Sequence, residues 1–360
     1  MSFETKPFDT KTMSRDDWNK YHEYRRKRHL ETTPEDPCMS NEVIEKSFIQ
    51  DTEDDMMYLK RYSIFNSEDN GKSKMIGYVG ISSFSEKNPS FEGNKHNVQF
   101  DISILKDYRK KGIATQNLKY VIDFAKEHNK TVAHTQTFED DGREFMKKIG
   151  AKVALSAKEN RLQMADVDWN MVKQWVSEAE SLNPNTKIKR FTKVPEEIIE
   201  QYSHVLTETA NQQPFDDLDI KDFIITPEVL RKFEEKFNNL GYISYTMITV
   251  ESDGEISGLT EIMHNPEKKI MLSQGLTGVV LKHRGRKLGK WLKGLTLLEM
   301  REKFPEVTTV VTGNADSNAP MLSINHRLGF KPHRESSIGQ LNVQDLENYL
   351  ASKQEKSVIH

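Results

Sequence analysis

The sequence predicts a mixed α/β protein made of two successive domains built on one plan. Its 360 residues exceed the roughly 100–200 residues usual for one domain. A basic, glycine-bearing turn occurs twice, at Arg109 and Arg284, 175 residues apart, and a self-similarity at half the chain length marks a tandem repeat. In each half several strands arrive one after another, which argues against an alternating, parallel wound sheet.

The elements follow in parallel. Each half opens with a strand and helices, Arg15 to Gln50 and Pro195 to Asn239, then a strand pair, Met57 to Ser85 and Gly241 to Asn265. Next, NVQFDISIL (Asn97 to Leu105) alternates apolar and polar residues as a half-buried strand does, and IMLSQGLTGVVL (Ile270 to Leu281) is a β-rich run whose glycines invite a bulge. After each basic turn apolar residues recur at helical spacing, at Leu118, Val121, Ile122 and Ala125, and at Leu292, Leu295, Leu298 and Met300. Short strands at Thr131 and Thr308 lead to helices ending at Gly150 and Gly329, where left-handed C-caps are expected. Each half closes with a strand and a helix. The turn-rich SLNPNTK places a linker at 181–186, giving domains at 1–180 and 187–360.

Charged residues make up 30% of the chain and net charge is −3, so no global basic field recommends nucleic acid. No apolar run approaches the ~18 residues of a membrane span, and the first residues have no apolar signal segment. The lone Cys38 cannot form an internal disulfide. These features predict a cytoplasmic protein with no membrane or nucleic-acid partner and no metal. Cys38 reads as an incidental residue.

A glycine-bearing strand-to-helix turn exposes backbone N–H groups at the positive end of a helix, and Arg and Lys around it add charge-assisted contacts, so a pyrophosphate is its natural occupant. GRKLGKW has one residue too few for a P-loop and puts Trp291 where a metal-binding hydroxyl belongs. The G-x-G-x-x-G dinucleotide pattern is absent from both turns. The pattern that remains is R/Q-x-x-G-x-G/A. RKKGIA (Arg109 to Ala114) fits it fully, and RGRKLG (Arg284 to Gly289) fits except for Lys287. A residue other than Gly can still supply its N–H when φ stays negative, so Lys287 weakens the motif without abolishing it.

With these turns, and with NADSNAPMLSINHRLGF after the second, the chain resembles the GNAT superfamily of acyl-CoA-dependent N-acetyltransferases, in the two-domain form similar to mycothiol synthase-type enzymes. The resemblance implies two tandem domains, each a central mixed sheet flanked by helices, with acetyl-CoA as acyl donor. It implies one pyrophosphate site at Arg109, Lys111, Gly112, Ile113 and Ala114 and another at Arg284, Gly285, Arg286, Lys287, Leu288 and Gly289. Backbone groups of Ile104 to Lys106 and of Val279, Val280 and Leu281 would pair with the pantetheine amides, and Asn314 or Asn318 would lie near that arm.

Acylating an amine needs a base for its proton, a donor for the oxyanion and a proton for the departing thiolate. The resemblance places a Tyr acid four residues before each helix-ending glycine. Here Met146 and Asn325 stand there. Met146 transfers no proton and Asn325 only orients or donates a hydrogen bond, so the second half is favoured as catalytic. Glu261 is its candidate base and His264 the second choice. The acidic Asp216, Asp217, Asp219 and Asp222 read as a solvated loop or as an attractor for a cationic amine. The expected activity is N-acetylation of a small-molecule amine by direct attack in a ternary complex. A non-catalytic acyl-CoA-binding or scaffolding protein and a protein or peptide acetyltransferase are the alternatives.

Overall fold

The computed structural model describes residues 3–66 and 73–358, with side chains of the last helix to residue 353; residues 67–72 of the expected strand pair Met57 to Ser85 lie outside the described residues. The strands are β1 (Phe3–Pro7), β2 (Met57–Asn66), β3 (Lys74–Phe84), β4 (Asn97–Ile104), β5 (Val132–Thr137), β6 (Lys152–Gln163), β7 (Lys187–Phe191), β8 (Ile243–Val250), β9 (Ile256–His264), β10 (Met271–Val279), β11 (Thr309–Ala315) and β12 (Lys331–Asn342). The helices are α1 (Arg15–Thr32), α2 (Asn41–Glu53), the single turn α3 (Phe91–Asn94), α4 (Ile113–Glu127), α5 (Asp140–Lys148), α6 (Trp169–Leu182), α7 (Ile199–Asn211), α8 (Pro227–Asn239), α9 (Leu288–Lys303), α10 (Ala319–Leu328) and α11 (Val343–Val358).

The chain forms two compact units, but not at the boundaries 1–180 and 187–360. The first comprises residues 1–155, 217–221 and 336–360, the second 156–216 and 222–335. The sheet of the first unit runs β1-β2-β3-β4-β5-β12 and that of the second β7-β8-β9-β10-β11-β6. Each is therefore completed by the closing strand of the other half of the sequence. Val132 to Thr137 of β5 pair antiparallel with Asn342 to Ser337, and Thr309 to Ala315 of β11 pair antiparallel with Gln163 to Ala157. KVALSAKENRLQ, the whole of β6, contains no glycine or proline, so nothing turns the chain back, and α6 travels with it. SLNPNTK is a connection inside the second unit.

Within each sheet the first four strands are antiparallel neighbours, and one pair, β4 with β5 or β10 with β11, is parallel. Those parallel pairs are short. β4 and β5 pair only at Asn97 to Gln99 with Val132 to His134, and β10 and β11 only at Met271 to Ser273 with Thr309 to Val311. Beyond them each pair splays open, and the splay lies beside the basic turn. The expected bulge is present in β10, where the register shifts between Gln274 and Thr277.

The core of the first unit joins Val98, Phe100 and Ile104 of β4 to Leu118, Val121 and Ala125 of α4 and to Leu346 of α11. In the second, Ile262, Leu272 and Val310 pack on Leu297 and Met300 of α9 with Val172 and Trp175 of α6. A fully buried Leu is worth roughly 1.5–3 kcal/mol, so the exchanged helices are held by apolar burial. Met247 and Met271 are buried and Met263 partly so, as suits a side chain that fills irregular gaps. No described helix is long and apolar enough to cross a membrane.

Candidate active site

Both basic turns have the same backbone. In the first, Lys110 (φ 59°) and Gly112 (φ 78°) are left-handed; in the second, Gly285 (φ 84°) and Lys287 (φ 62°) are. The same two positions are strained in each copy, and glycine relieves a different one in each. Lys287 therefore has a positive φ, so the condition of a negative φ is not met. Gly112 and Lys287 are the N-caps of α4 and α9, and neither helix start has a side-chain cap. The N–H of Gln116 is bonded back to Gly112 O and that of Trp291 to Lys287 O. The preceding N–H groups of each first turn have no partner within their helix, which leaves an anion site at each.

The motif arginines staple the turns. Arg109 donates from Nε to Ile104 O at 3.0 Å, and Arg284 donates likewise to Val279 O at 3.4 Å. Both remaining nitrogens of Arg109 are engaged with Glu139 and Asp141, and Nη2 of Arg284 donates to Gln212. Lys111 donates to Asp107 O, and Arg286 is bound by Asn183, Thr186, Glu251 and His283. Backbone N–H groups, more than these side chains, are what each turn offers an anion. Gly289 and Ala114 lie one residue inside their helices, after Leu288 and Ile113, which are buried.

In the first unit the splay contains a cavity of about 470 Å³, lined by Asp101, Ile102 and Ser103 of β4, Thr135 and Thr137 of β5, Gly112 of the turn, and Arg28 of α1. Phe100 and Ile104 point into the α4 core, so alternation turns Asp101 and Ser103 to the α1 face. There Arg28 Nε donates to Ser103 Oγ at 2.9 Å, and Tyr24 Oη donates to Ser103 O at 3.0 Å. Desolvation by the cavity walls pushes the Asp101 carboxyl up to about 6, with Arg28 partly opposing it and Glu139 adding to it. Glu139 lies between Arg28 and Arg109, accepting from Arg28 at 2.6 Å. Burial works against its ionisation, but the two guanidinium groups outweigh burial and hold it below the usual carboxylate range. Met146 lines the cavity as well.

The second unit carries its carboxyl one strand over. Glu261 of β9 lies opposite the bulge, facing α7, where Tyr202 Oη donates to it at 2.7 Å. Desolvation raises its pKa, and the Tyr202 hydrogen bond partly offsets this. In the first unit Asp101 of β4 stands opposite Gly80 of β3, so the two copies place a carboxyl beside the splay, on the face of the first long helix, from neighbouring strands. Thr209 of α7 sits so close to β10 that a Cβ on Gly278 would lie 2.3 Å from its own.

Other expected residues of the second half are placed differently. His264 faces the opposite side from Glu261, buried with its ring 4.3 Å from that of Phe304, which removes it as a base. Val280 uses its N–H on Ser257 O and its carbonyl on His283 N, and Leu281 donates to Glu208, so these groups are not free for an amide arm. Asn318 caps α10 by accepting from Met321 N. Asn325 is fully buried and links two partners: its Oδ1 accepts from Lys293 Nζ at 2.7 Å and its Nδ2 donates to Asn314 Oδ1 at 2.7 Å. Burial lowers the pKa of Lys293 to about 7. The acidic run is divided between the units: the Asp219 carbonyl accepts from Asn97 at 2.8 Å in the first, and Asp216 accepts from Ser317 in the second.

Asp101 and Lys293 were not singled out from the sequence. Asp101 occupies a polar phase of an alternating strand and stays exposed, opening on the cavity, whereas Lys293 sits beside an apolar helical stripe and looks solvent-facing until α10 is placed over it.

Residues 21–151 match the acetyltransferase (GNAT) family. No curated protein matches the chain. Among solved structures, a tandem GNAT protein from the clavulanic acid biosynthesis pathway is similar over 95% of this chain and 99% of its own, at 18% identity and a TM-score of 0.73. A GCN5-related N-acetyltransferase from Sphaerobacter thermophilus is similar over 95% and 96%, at 12% identity and a TM-score of 0.62. A GCN5-related glucosamine N-acetyltransferase region of a fungal multi-domain β-N-acetylglucosaminidase matches 94% of this chain and 38% of its own, at 12% identity and a TM-score of 0.64. The splayed strands, the paired uncapped turns and these likenesses agree: the chain has the tandem GNAT fold, and its residues 21–151 match the GNAT acetyltransferase family.

Proposed function

We propose that the protein is an acetyl-CoA-dependent N-acetyltransferase of small-molecule amines, and that the first unit performs the transfer. The observation that carries this reading is the splay cavity, which brings a carboxyl of raised pKa, Asp101, beside an uncapped helix start. It reverses the preference for the second half drawn from the sequence, where the missing Tyr acid weighed against Met146.

The fit to the donor rests on the start of α4 and on the walls of the splay. The free N–H groups of the first turn of α4, together with Gly112, suit a pyrophosphate, and the walls at Ile102 to Ile104 and Thr135 to Thr137 suit an extended amide arm. The thioester supplies an activated acyl group. Asp101 Oδ takes the proton from the acceptor ammonium, whose ordinary pKa is about 10; a base near 6 is ionised at neutral pH, and Asp101 is exposed on the wall of the cavity, where an acceptor can reach it. Arg28 holds β4 through Ser103 and keeps Asp101 from rising further. Met146 offers no proton, so the thiolate leaves as the anion or is protonated by water.

Turnover of acetyl-CoA with a panel of polyamines, amino sugars and amino acids, read as thiol release, tests the proposal. Acetyl-amine formation abolished by Asp101→Asn supports it. Binding of acetyl-CoA with no thiol release for any amine would favour the alternative, a non-catalytic acyl-CoA-binding protein, for which the absence of a Tyr at both Met146 and Asn325 speaks.

A further inference from the structure

A second cavity of about 540 Å³ adjoins the first in the first unit and shares Gly112, Thr115 and Lys148 with it. Lys119 of α4, Lys148 of α5 and Lys353 of α11 surround it, with Tyr349 of α11. Among the described residues none of these three lysines forms an ion pair; Lys119 and Lys353 rest over the rings of Tyr120 and Tyr349, at 4.8 and 5.2 Å. The Tyr349 hydroxyl is buried without a hydrogen-bond partner. Unpaired cations and an orphaned hydroxyl around a roomy pocket fit a ligand that brings strong acceptor oxygens.

The corresponding place in the second unit is filled by its own side chains. Trp175 of α6 is buried there, with Lys290 and Arg327 at 5.1 and 5.2 Å over its ring, and Lys287 pairs with Glu178 at 2.8 Å. Lys290 follows Thr115 by the repeat distance, and Arg327 stands two residues after Asn325 as Lys148 does after Met146. One copy has spent its cations internally and the other has left them open.

We propose that Lys119, Lys148 and Lys353, with Tyr349, read the 3′-phosphate of the donor's adenosine, so that the enzyme selects free CoA thioesters over dephospho-CoA and over pantetheine carried on a protein, which has no such phosphate. This rests on the reading of the neighbouring cavity as the acyl-donor site. It assigns donor selection for the first unit partly to α11, a helix from the far end of the sequence.

The test is calorimetric titration of the full chain and of a Lys119→Gln/Lys148→Gln/Lys353→Gln variant with CoA, dephospho-CoA and adenosine 3′,5′-bisphosphate. All three lysines are exposed, so the variant is expected to fold. The expected result is that the parent protein binds CoA at least about tenfold tighter than dephospho-CoA, while the variant binds both with the parent's dephospho-CoA affinity and loses the bisphosphate. Equal affinity of the parent for CoA and dephospho-CoA, or a variant weakened equally toward both, overturns the inference, as does failure of the bisphosphate to bind the parent. Binding of the bisphosphate but of neither CoA form supports a phosphate pocket here and overturns the acyl-donor reading of the cavity beside it.

Discussion

Lys293 is a buried amine whose ionisation the second unit opposes. It is 2% exposed, has one hydrogen bond, to Asn325, and faces no carboxylate in that bond. In the first half the matching residues are Leu118 and Met146, both buried and apolar. The double substitution Lys293→Leu with Asn325→Met therefore rebuilds in the second unit a pair the fold already tolerates. In the unfolded chain the lysine takes a proton below 10.5, but in the folded one only below about 7. At roughly 1.4 kcal/mol per pH unit, that interval corresponds to a penalty of about 5 kcal/mol at and below neutral pH, an upper value because side chains relax. Between about 7 and 10.5 the unfolded state holds more protons, so stability rises with pH. Below 7 both states are protonated and the penalty is constant. Lys293→Leu alone removes the penalty but leaves Asn325 Oδ1 without its donor, at a cost of roughly 1–3 kcal/mol; the double variant removes both. Urea denaturation followed by tryptophan fluorescence is the assay, since Trp169, Trp175 and Trp291 of the four tryptophans lie in the second unit. The expected result is a double variant more stable by several kcal/mol at pH 7, with the difference shrinking toward pH 10. A difference that stays constant from pH 7 to 10, or a variant less stable at pH 7, would refute the account of Lys293 as a buried amine kept neutral.

Other predictions concern the proposed site and the turns. Asp101→Asn lowers kcat by roughly 10²–10⁴-fold, the range of general-base catalysis, with acetyl-CoA affinity unchanged by calorimetry. The pH profile of kcat/KM in the parent falls on the acid side near 6, where Asp101 takes up its proton, and Arg28→Gln moves that limb upward because the opposing cation is lost. Gly112→Asp places a side chain and a negative charge at the turn whose N–H groups await an anion, and abolishes acetyl-CoA binding; Gly289→Asp leaves binding within about threefold. Lys110→Gly and Lys287→Gly each remove a left-handed non-glycine residue and raise stability by up to about 1 kcal/mol in denaturant titration.

The repeat, its turns and the order of elements were legible in the sequence because they depend on local physics: alternation along NVQFDISIL, helical spacing after each turn, and glycines at Gly150 (φ 83°) and Gly329 (φ 101°) where the chain leaves a helix. The Gly-to-Lys change at 287 read as a flaw in a motif, yet the backbone there repeats that of Gly112. A left-handed conformation costs a lysine only about 1–2 kcal/mol, which a well-paired turn outweighs.

Pairing across distance was not legible. Nothing local distinguishes β5 from β11 as a partner for β6, since both are short strands that mix apolar residues with threonines; the unbroken run from Lys152 to Gln163 and the packing of α6 against α9 decide it. Nor does a polar residue announce what will cover it. Asp101 and Lys293 owe their shifted proton affinities to walls contributed by α1, β5 and α10, elements distant in sequence. The sequence by itself determined the elements, the repeat and the anion-ready turns; only the tertiary structure decided which halves exchange strands and which turn keeps an open cavity, because desolvation and strand partnership are properties of what packs against a residue.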